Sequence, residues 1–390
     1  MWLSTNKRLA LLIPLTFGIA FFLGVEAGGF QLVLLKIAEE FSLDPVGMGG
    51  IVTAQFIAIV MGPLLFGWVS DRIGKKTVLA YGMISFIIGC FGAFFSSTLI
   101  FFAISIFILG LGFSVCECIG SSLLSDSFPG KESTYLNIMQ SGFSLGAVAS
   151  PLTFNWLIQA GFVSWRMVFL SAGIGYILIY PLLILSPKTQ VVKKSTTSEK
   201  KVSASKTIIF SPIFIILFFS MMIYVAVESG LAYFADSMFV TEFGNTRFGA
   251  YAISGFWLSM AVSRLAFAKI KMKPQTMVIL GFLVIFFLLL FALPFKNPYI
   301  FLTVFFLLGF ASGPIWPMII GIGASLNQER SGTNTSILYA SGGLGGVIIP
   351  PLIGFIAERH GFYNSFWLLT ILAAIAFLIM WLAVRKQGNQ

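Results

Sequence analysis

The chain has 390 residues, 58% hydrophobic and only 10% charged, with mean hydropathy +0.96; a soluble domain carries about 25% charged residues, so a water-soluble fold is excluded. Its net charge of +10 comes from short basic clusters between apolar runs, which leaves no folded polar domain to present to nucleic acid. No G-x-x-x-x-G-K-[ST] loop is present, which argues against a site for nucleotide phosphates.

Apolar runs of about 20 residues, the length that crosses a ~30 Å hydrocarbon layer, are the units to count. They fall at 9–35, 48–69, 78–95, 99–124, 135–160 and 167–185. A stretch rich in Lys, Ser and Thr follows at 187–206, and six further runs lie at 207–239, 248–268, 276–293, 299–326, 334–357 and 362–384. The pattern predicts an all-α integral membrane protein of 12 transmembrane helices, with six-helix units at 1–186 and 207–390 joined by a cytoplasmic linker at 187–206. The first run follows Lys7 and Arg8, as a signal peptide would, but it is about twice the length of a signal-peptide core and lacks a small-residue cleavage site, so it counts as helix 1.

With the N-terminus inside, the linker lysines join Lys7, Arg8, Arg72, Lys75, Lys76, Lys131, Lys269, Lys271, Lys273, Arg330, Arg385 and Lys386 on the cytoplasmic side. Only Lys36, Arg166, Arg247, Lys296 and Arg359 fall on the other side, with Arg264 inside helix 8. This bias predicts a multi-pass protein of the cell membrane with both termini cytoplasmic. Cys90, Cys116 and Cys118 lie in apolar runs as free thiols, and His360, the single histidine, reads as a surface residue. Neither a metal site nor a nucleophile-base set can be assembled, so no cofactor and no enzymatic activity are expected.

Leu145-Gly146-x-Val148-x-x-Pro151 recurs as Leu344-Gly345-x-Val347-x-x-Pro350, 199 residues later. The same offset carries Gly110 to Gly309 and Thr77 to Thr276. An offset of six helices gives two halves of the same orientation, a transporter plan that places the substrate site between them near the midplane.

Between helices 2 and 3 the chain reads Gly67-Trp68-Val69-Ser70-Asp71-Arg72-Ile73-Gly74-Lys75-Lys76. This G-x-x-x-D-R-x-G-[RK]-[RK] pattern resembles the signature loop of the major facilitator superfamily, and the resemblance implies that superfamily's fold of two parallel six-helix bundles. Gly67 permits close helix approach and Gly74 a tight turn, while Asp71 can face the positive end of a neighbouring helix. The resemblance implies that Gly67, Asp71, Arg72 and Gly74 form a conformational latch in which Asp71 meets the start of helix 11 near Thr333 and Asn334. The counterpart loop at 269–274 has neither the acid nor the glycines.

Charges within hydrocarbon are costly and mark functional sites. Glu26 in helix 1, Glu117 in helix 4 and Glu228 in helix 7 are the candidates, each a carboxyl of the kind that proton coupling requires. A structural alternative for each is a carboxyl hydrogen-bonded between helices. Arg264, toward the cytoplasmic end of helix 8, reads as remote from all three. Asp126 and Asp236 lie near helix ends, where solvation is expected. Ser114 and Ser121, three before and four after Glu117, give helix 4 a polar stripe.

The segment from Gly110 through Cys116-Glu117-Cys118 to Leu136-Asn137-x-x-Gln140-x-x-x-Ser144-x-Gly146-Ala147 resembles helices 4 and 5 of the fucose/glucose/galactose permease group, which are sugar:proton symporters. Tyr224-Val225-Ala226-Val227-Glu228 resembles that group's helix 7, and Gly342-Gly343 through Pro350 to Gly354 its helix 11. The resemblance casts Glu117 as a substrate-linked proton acceptor and Gln140 as its partner in helix 5. The group's helix 1 aspartate is Gln31 here. Candidate substrate contacts are Gln31, Gln140, Ser114, Ser121, Tyr224, Trp316, Asn334 and Tyr339, with Gln55 beside them; Trp316 holds the repeat position of Glu117.

Together these features point to a secondary transporter in the lipid bilayer, working as a monomer by alternating access. It would couple protons, or sodium, to import of a small-molecule substrate such as a monosaccharide. The alternatives are a proton-coupled drug or metabolite antiporter of the same fold and a non-transporting membrane sensor.

Overall fold

The structure, a computed structural model, describes residues 9–128, 132–187, 211–267, 270, 272–326 and 331–388, and within these not the side chains at 67, 68, 71, 132–134, 331–333 and 386–388. The helices of the first half are α1 (Leu12–Phe41), α2 (Pro45–Ile73), α3 (Lys75–Phe95), α4 (Leu99–Ser127), α5 (Glu132–Gln159) and α6 (Met167–Leu185). Those of the second are α7 (Pro212–Phe243), α8 (Phe248–Phe267), α9 (Pro274–Ala292), α10a (Pro298–Ser312), α10b (Ile315–Ser325), α11 (Ser331–His360) and α12 (Phe362–Gly388). The expected fold of 12 transmembrane helices is therefore present, and the linker expected at 187–206 lies, apart from Pro187, outside the described residues.

Local chemistry sets the starts of these helices. Asp44 accepts from the Gly47 N–H at 2.6 Å, Thr98 caps α4 through Phe101, Ser211 caps α7 through Phe214, and Asn297 caps α10a through Tyr299 and Ile300. Proline follows directly at 45, 212 and 298, where its missing N–H removes a donor that the first turn leaves unpaired anyway. Helix 1 runs to Phe41, six residues past the apolar run, because Glu40 is held at its far end by Arg166 and the Trp165 indole, both at 2.6 Å. The tenth span, expected as one helix over 299–326, is broken: Gly313-Pro314 separates α10a from α10b.

Among the described residues, ten helices, counting α10a and α10b as one, are long and apolar enough to cross a membrane. The other two, α5 and α8, carry more small and polar residues and pack on each other, a composition that suits a protein-facing position better than a lipid-facing one. Glycine sets the close contacts. A Cβ on Gly146 of α5 would stand 2.0 Å from the Phe21 carbonyl of α1, and one on Gly345 of α11 would stand 2.0 Å from the Met222 carbonyl of α7. Gly110 likewise brings α4 onto Gln55 of α2, and Gly309 brings α10a onto Phe256 of α8. The 199-residue repeat thus reappears as a repeat of helix contacts.

We call the end of the bundle where α1 starts proximal and the opposite end distal. The first six helices meet the last six through α2 with α11, α5 with α8 and α1 with α7. From the distal end inward, Gly354 fits against the Pro45 carbonyl, Gly49 against Pro350, Gly346 against Phe56 and Gly343 against Val60. Hydrogen bonds cross the same seam: Gln159 to the Thr246 carbonyl at 2.7 Å, Thr53 to Val347 at 3.0 Å, and Ser254 to Val148 at 2.9 Å. These contacts run from the distal surface to about the midplane, so the halves are closed together there.

Candidate functional site

Proximal to this closed layer, polar side chains from both halves converge. α4 supplies Glu117 and α5 supplies Gln140, whose side chain lies beside the Glu117 carboxyl. Facing them, the Tyr224 hydroxyl donates to Glu228 Oε1 at 3.0 Å one helical turn along α7. The Tyr224 ring lies 6.1 Å from the Trp316 ring of α10b, and Trp316 meets Tyr339 of α11 edge to face at 5.1 Å. Glu117, Gln140, Glu228, Trp316 and Tyr339 are half-buried, whereas Tyr224 is buried.

Arg264 corrects the sequence expectation. It is not remote from two of the three acids: its charge reaches Glu117 and Glu228, and it lies near the Tyr224 hydroxyl. Its Nε donates to the Gly313 carbonyl at 3.3 Å. The reason lies in the broken helix, since the residue four beyond Gly313 is Pro317, which has no N–H to offer that carbonyl. No property of Arg264 in the linear sequence reveals this; the signal was the paired prolines Pro314 and Pro317 opposite a serine-rich helix.

Glu26 stands apart from the other two acids. Fully buried in α1, it accepts from Gln55 Nε2 at 3.1 and 3.3 Å, and Gln55 Oε1 accepts from the Tyr233 hydroxyl of α7 at 2.9 Å. Gln31 is likewise in the closed layer, where its Oε1 accepts from Trp257 Nε1 at 2.9 Å. The stripe of Ser114, Glu117 and Ser121 divides: Ser114 packs on Gly62 of α2, and Ser121 points to the Met139 sulfur at 3.6 Å. Buried Asn334 donates to the Gly323 carbonyl at 3.1 Å, tying α11 to α10b. Asp126 is exposed and pairs with Lys75, as a solvated helix end suggests. Asp236 differs from expectation: it is buried, with its carboxylate against Gly249 in the first turn of α8, the positive end of that helix.

In the signature loop, Gly74 has φ +93°, which supplies the tight turn between α2 and α3. Arg72 is exposed, Lys75 reaches Ser122 and Asp126 of α4, and Lys76 donates to the Ile184 and Ser186 carbonyls at the end of α6. The side chains at 67, 71 and 333 lie outside the described residues, and with them the expected meeting of Asp71 and helix 11. The cysteines are free, with Cys90 and Cys116 buried, and His360 is exposed.

A sequence profile of the Major Facilitator Superfamily matches residues 16–331 and 273–390. The chain is 23% identical over 354 residues to the TsgA homolog of Buchnera aphidicola subsp. Baizongia pistaciae (strain Bp), covering 90% of this chain and 89% of that protein. It is also 23% identical over 367 residues to the TsgA homolog of Yersinia pestis (strain Pestoides F), covering 93% and 91%. In three dimensions it is similar to a D-xylose-proton symporter, with TM-score 0.78, 15% identity and coverage of 97% and 98%. A bacterial homolog of the human lysosomal transporter Spinster, inward-facing and unoccupied, gives TM-score 0.77 at 14% identity, with 98% of each chain covered.

Proposed function

The chain belongs to the Major Facilitator Superfamily, and from that premise we propose that it is a proton-coupled importer of a small polar solute such as a monosaccharide, working by alternating access between its halves. The observation that carries the reading is the convergence of Glu117 and Gln140 from one half with Glu228, Tyr224 and Arg264 from the other, beside the rings of Trp316 and Tyr339. Carboxyls and an amide beside an aromatic edge suit hydroxyl groups and the apolar face of a sugar ring. The xylose-proton symporter, a structural relative, supports the same class of solute and coupling.

The mechanism treats 1–186 and 207–390 as two rocking units joined by 187–206. On this reading the site opens proximally while the distal layer is closed, and the basic loop residues Arg72, Lys75 and Lys76 support a cytoplasmic proximal face in the cell membrane. Solute and proton leave on that side; the reverse tilt separates Tyr233 from Gln55 and Trp257 from Gln31 and opens the site distally. If the driven step carries one net charge inward, a membrane potential of 100 mV supplies about 2.3 kcal/mol, enough for roughly fiftyfold accumulation.

The test is uptake of labelled monosaccharides into proteoliposomes under an imposed proton gradient. Glu117→Gln is expected to abolish gradient-driven accumulation while leaving exchange of solute across the membrane. Export of lipophilic cations in place of sugar uptake assigns the chain to drug/proton antiport instead.

A further inference from the structure

Arg264 is a cation at membrane depth. Among the described residues, no carboxylate lies at ion-pair distance from its guanidinium, although Glu117 and Glu228 flank it. The Tyr224 hydroxyl donates to the Glu228 carboxylate and lies near the Arg264 guanidinium. The Nε bond to the orphaned Gly313 carbonyl anchors the stem on the broken helix, which fixes the plane of the fork and leaves its terminal nitrogens for other acceptors. A neutral sugar has no need of such a group. A carboxylate matches it with two parallel hydrogen bonds.

On the reading of this cluster as the solute site, we propose that the substrate is a small organic monocarboxylate bearing hydroxyls, a sugar acid, whose carboxylate docks on Arg264. Its hydroxyls then meet Gln140 and Glu117, and its carbon face meets Trp316 and Tyr339. Among the described residues, the charged and titratable groups near Arg264 are Glu228 and Tyr224 from α7, Glu117 from α4 and Tyr339 from α11. An anion entering beside two carboxyls in a medium of low dielectric is repelled unless a proton accompanies it. One proton per anion leaves the net charge of the site unchanged, so the transport step is electroneutral.

The experiment compares labelled D-glucuronate and D-galacturonate with D-glucose, D-xylose and L-fucose in proteoliposomes of the intact chain, with the pH difference and the potassium-valinomycin potential imposed separately. The expected result is uronate accumulation that follows the pH difference and ignores the potential. Arg264→Lys, which keeps the charge but loses the fork, and Arg264→Gln are each expected to reduce it by about tenfold or more. Uronates should also raise the melting temperature of the detergent-solubilised wild-type protein, a readout independent of whether the variants fold. Uptake of neutral sugars that responds to the potential and survives Arg264→Gln, with no uronate effect on melting, overturns this inference and leaves the importer reading intact. Neither sugars nor uronates moving inward, with lipophilic cations driven out, overturns both.

Discussion

The side chains that a reader of the sequence groups together as polar candidates divide into two sets by what they touch. Glu117, Gln140, Glu228, Tyr224, Trp316 and Tyr339 converge on one site, whereas Glu26, Gln31 and Asn334 are already hydrogen-bonded between helices. Tyr233, absent from the sequence candidates, is the far end of the chain Glu26–Gln55–Tyr233 and its only member from the second half. A buried neutral hydrogen bond is worth about 1 kcal/mol net, and in the proposed rocking cycle this one breaks when the distal layer opens. Tyr233→Phe is therefore expected to shift the balance of the two states about fivefold toward the distally open one. The check is labelling of Thr53→Cys by a membrane-impermeant thiol reagent from the distal side, which should rise in the Tyr233→Phe background; unchanged labelling removes this bond from the closing layer.

At the level of elements, the helices hold one another through glycine. Lipid is as apolar as leucine, so the hydrophobic effect does not drive helix against helix in a bilayer, and close backbone approach supplies the packing energy. Gly146 and Gly345 are equivalent positions of the repeat, each fitting its helix onto a backbone carbonyl where a Cβ would come within 2.0 Å. Gly50, by contrast, has open space at that position. Gly146→Val and Gly345→Val are each expected to destabilise by about 1–3 kcal/mol or more through overpacking, and Gly50→Val by much less. Thermal melting in detergent separates the three. The broken tenth helix follows the same logic of backbone accounting: Pro317 withholds the donor that Gly313 needs, and Arg264 supplies it.

For the whole molecule, a seam closed distally with a site beneath it fits one end of the proposed rocking cycle. Thr53 and Val347 are neighbours across that seam, with Thr53 donating to the Val347 carbonyl. Cross-linking Thr53→Cys to Val347→Cys with a short thiol-specific reagent is expected to stop solute uptake, and cleavage of a reducible cross-link to restore it. Full activity in the cross-linked protein rules out rocking of the halves about this seam.

Composition and the order of residues by themselves determined the number of spans and the internal repeat, and the loop at 67–76 carried the family resemblance, because each depends on short-range facts: a bilayer demands about 20 apolar residues per crossing, and a tight turn demands a glycine such as Gly74. The family likewise follows from residues adjacent in the chain. Which polar residues share a site was decided only in three dimensions. Glu26 and Glu117 look alike in sequence, each a lone acid in an apolar run, yet one is held by Gln55 within the closed layer and the other faces the second half. Arg264 carries the same lesson, since its position depends on a carbonyl left unpaired 49 residues later and on α8 and α10a packing side by side. The partner of a buried charge is a tertiary property: hydrocarbon imposes the need for one, and only the assembled helices determine which residue meets it.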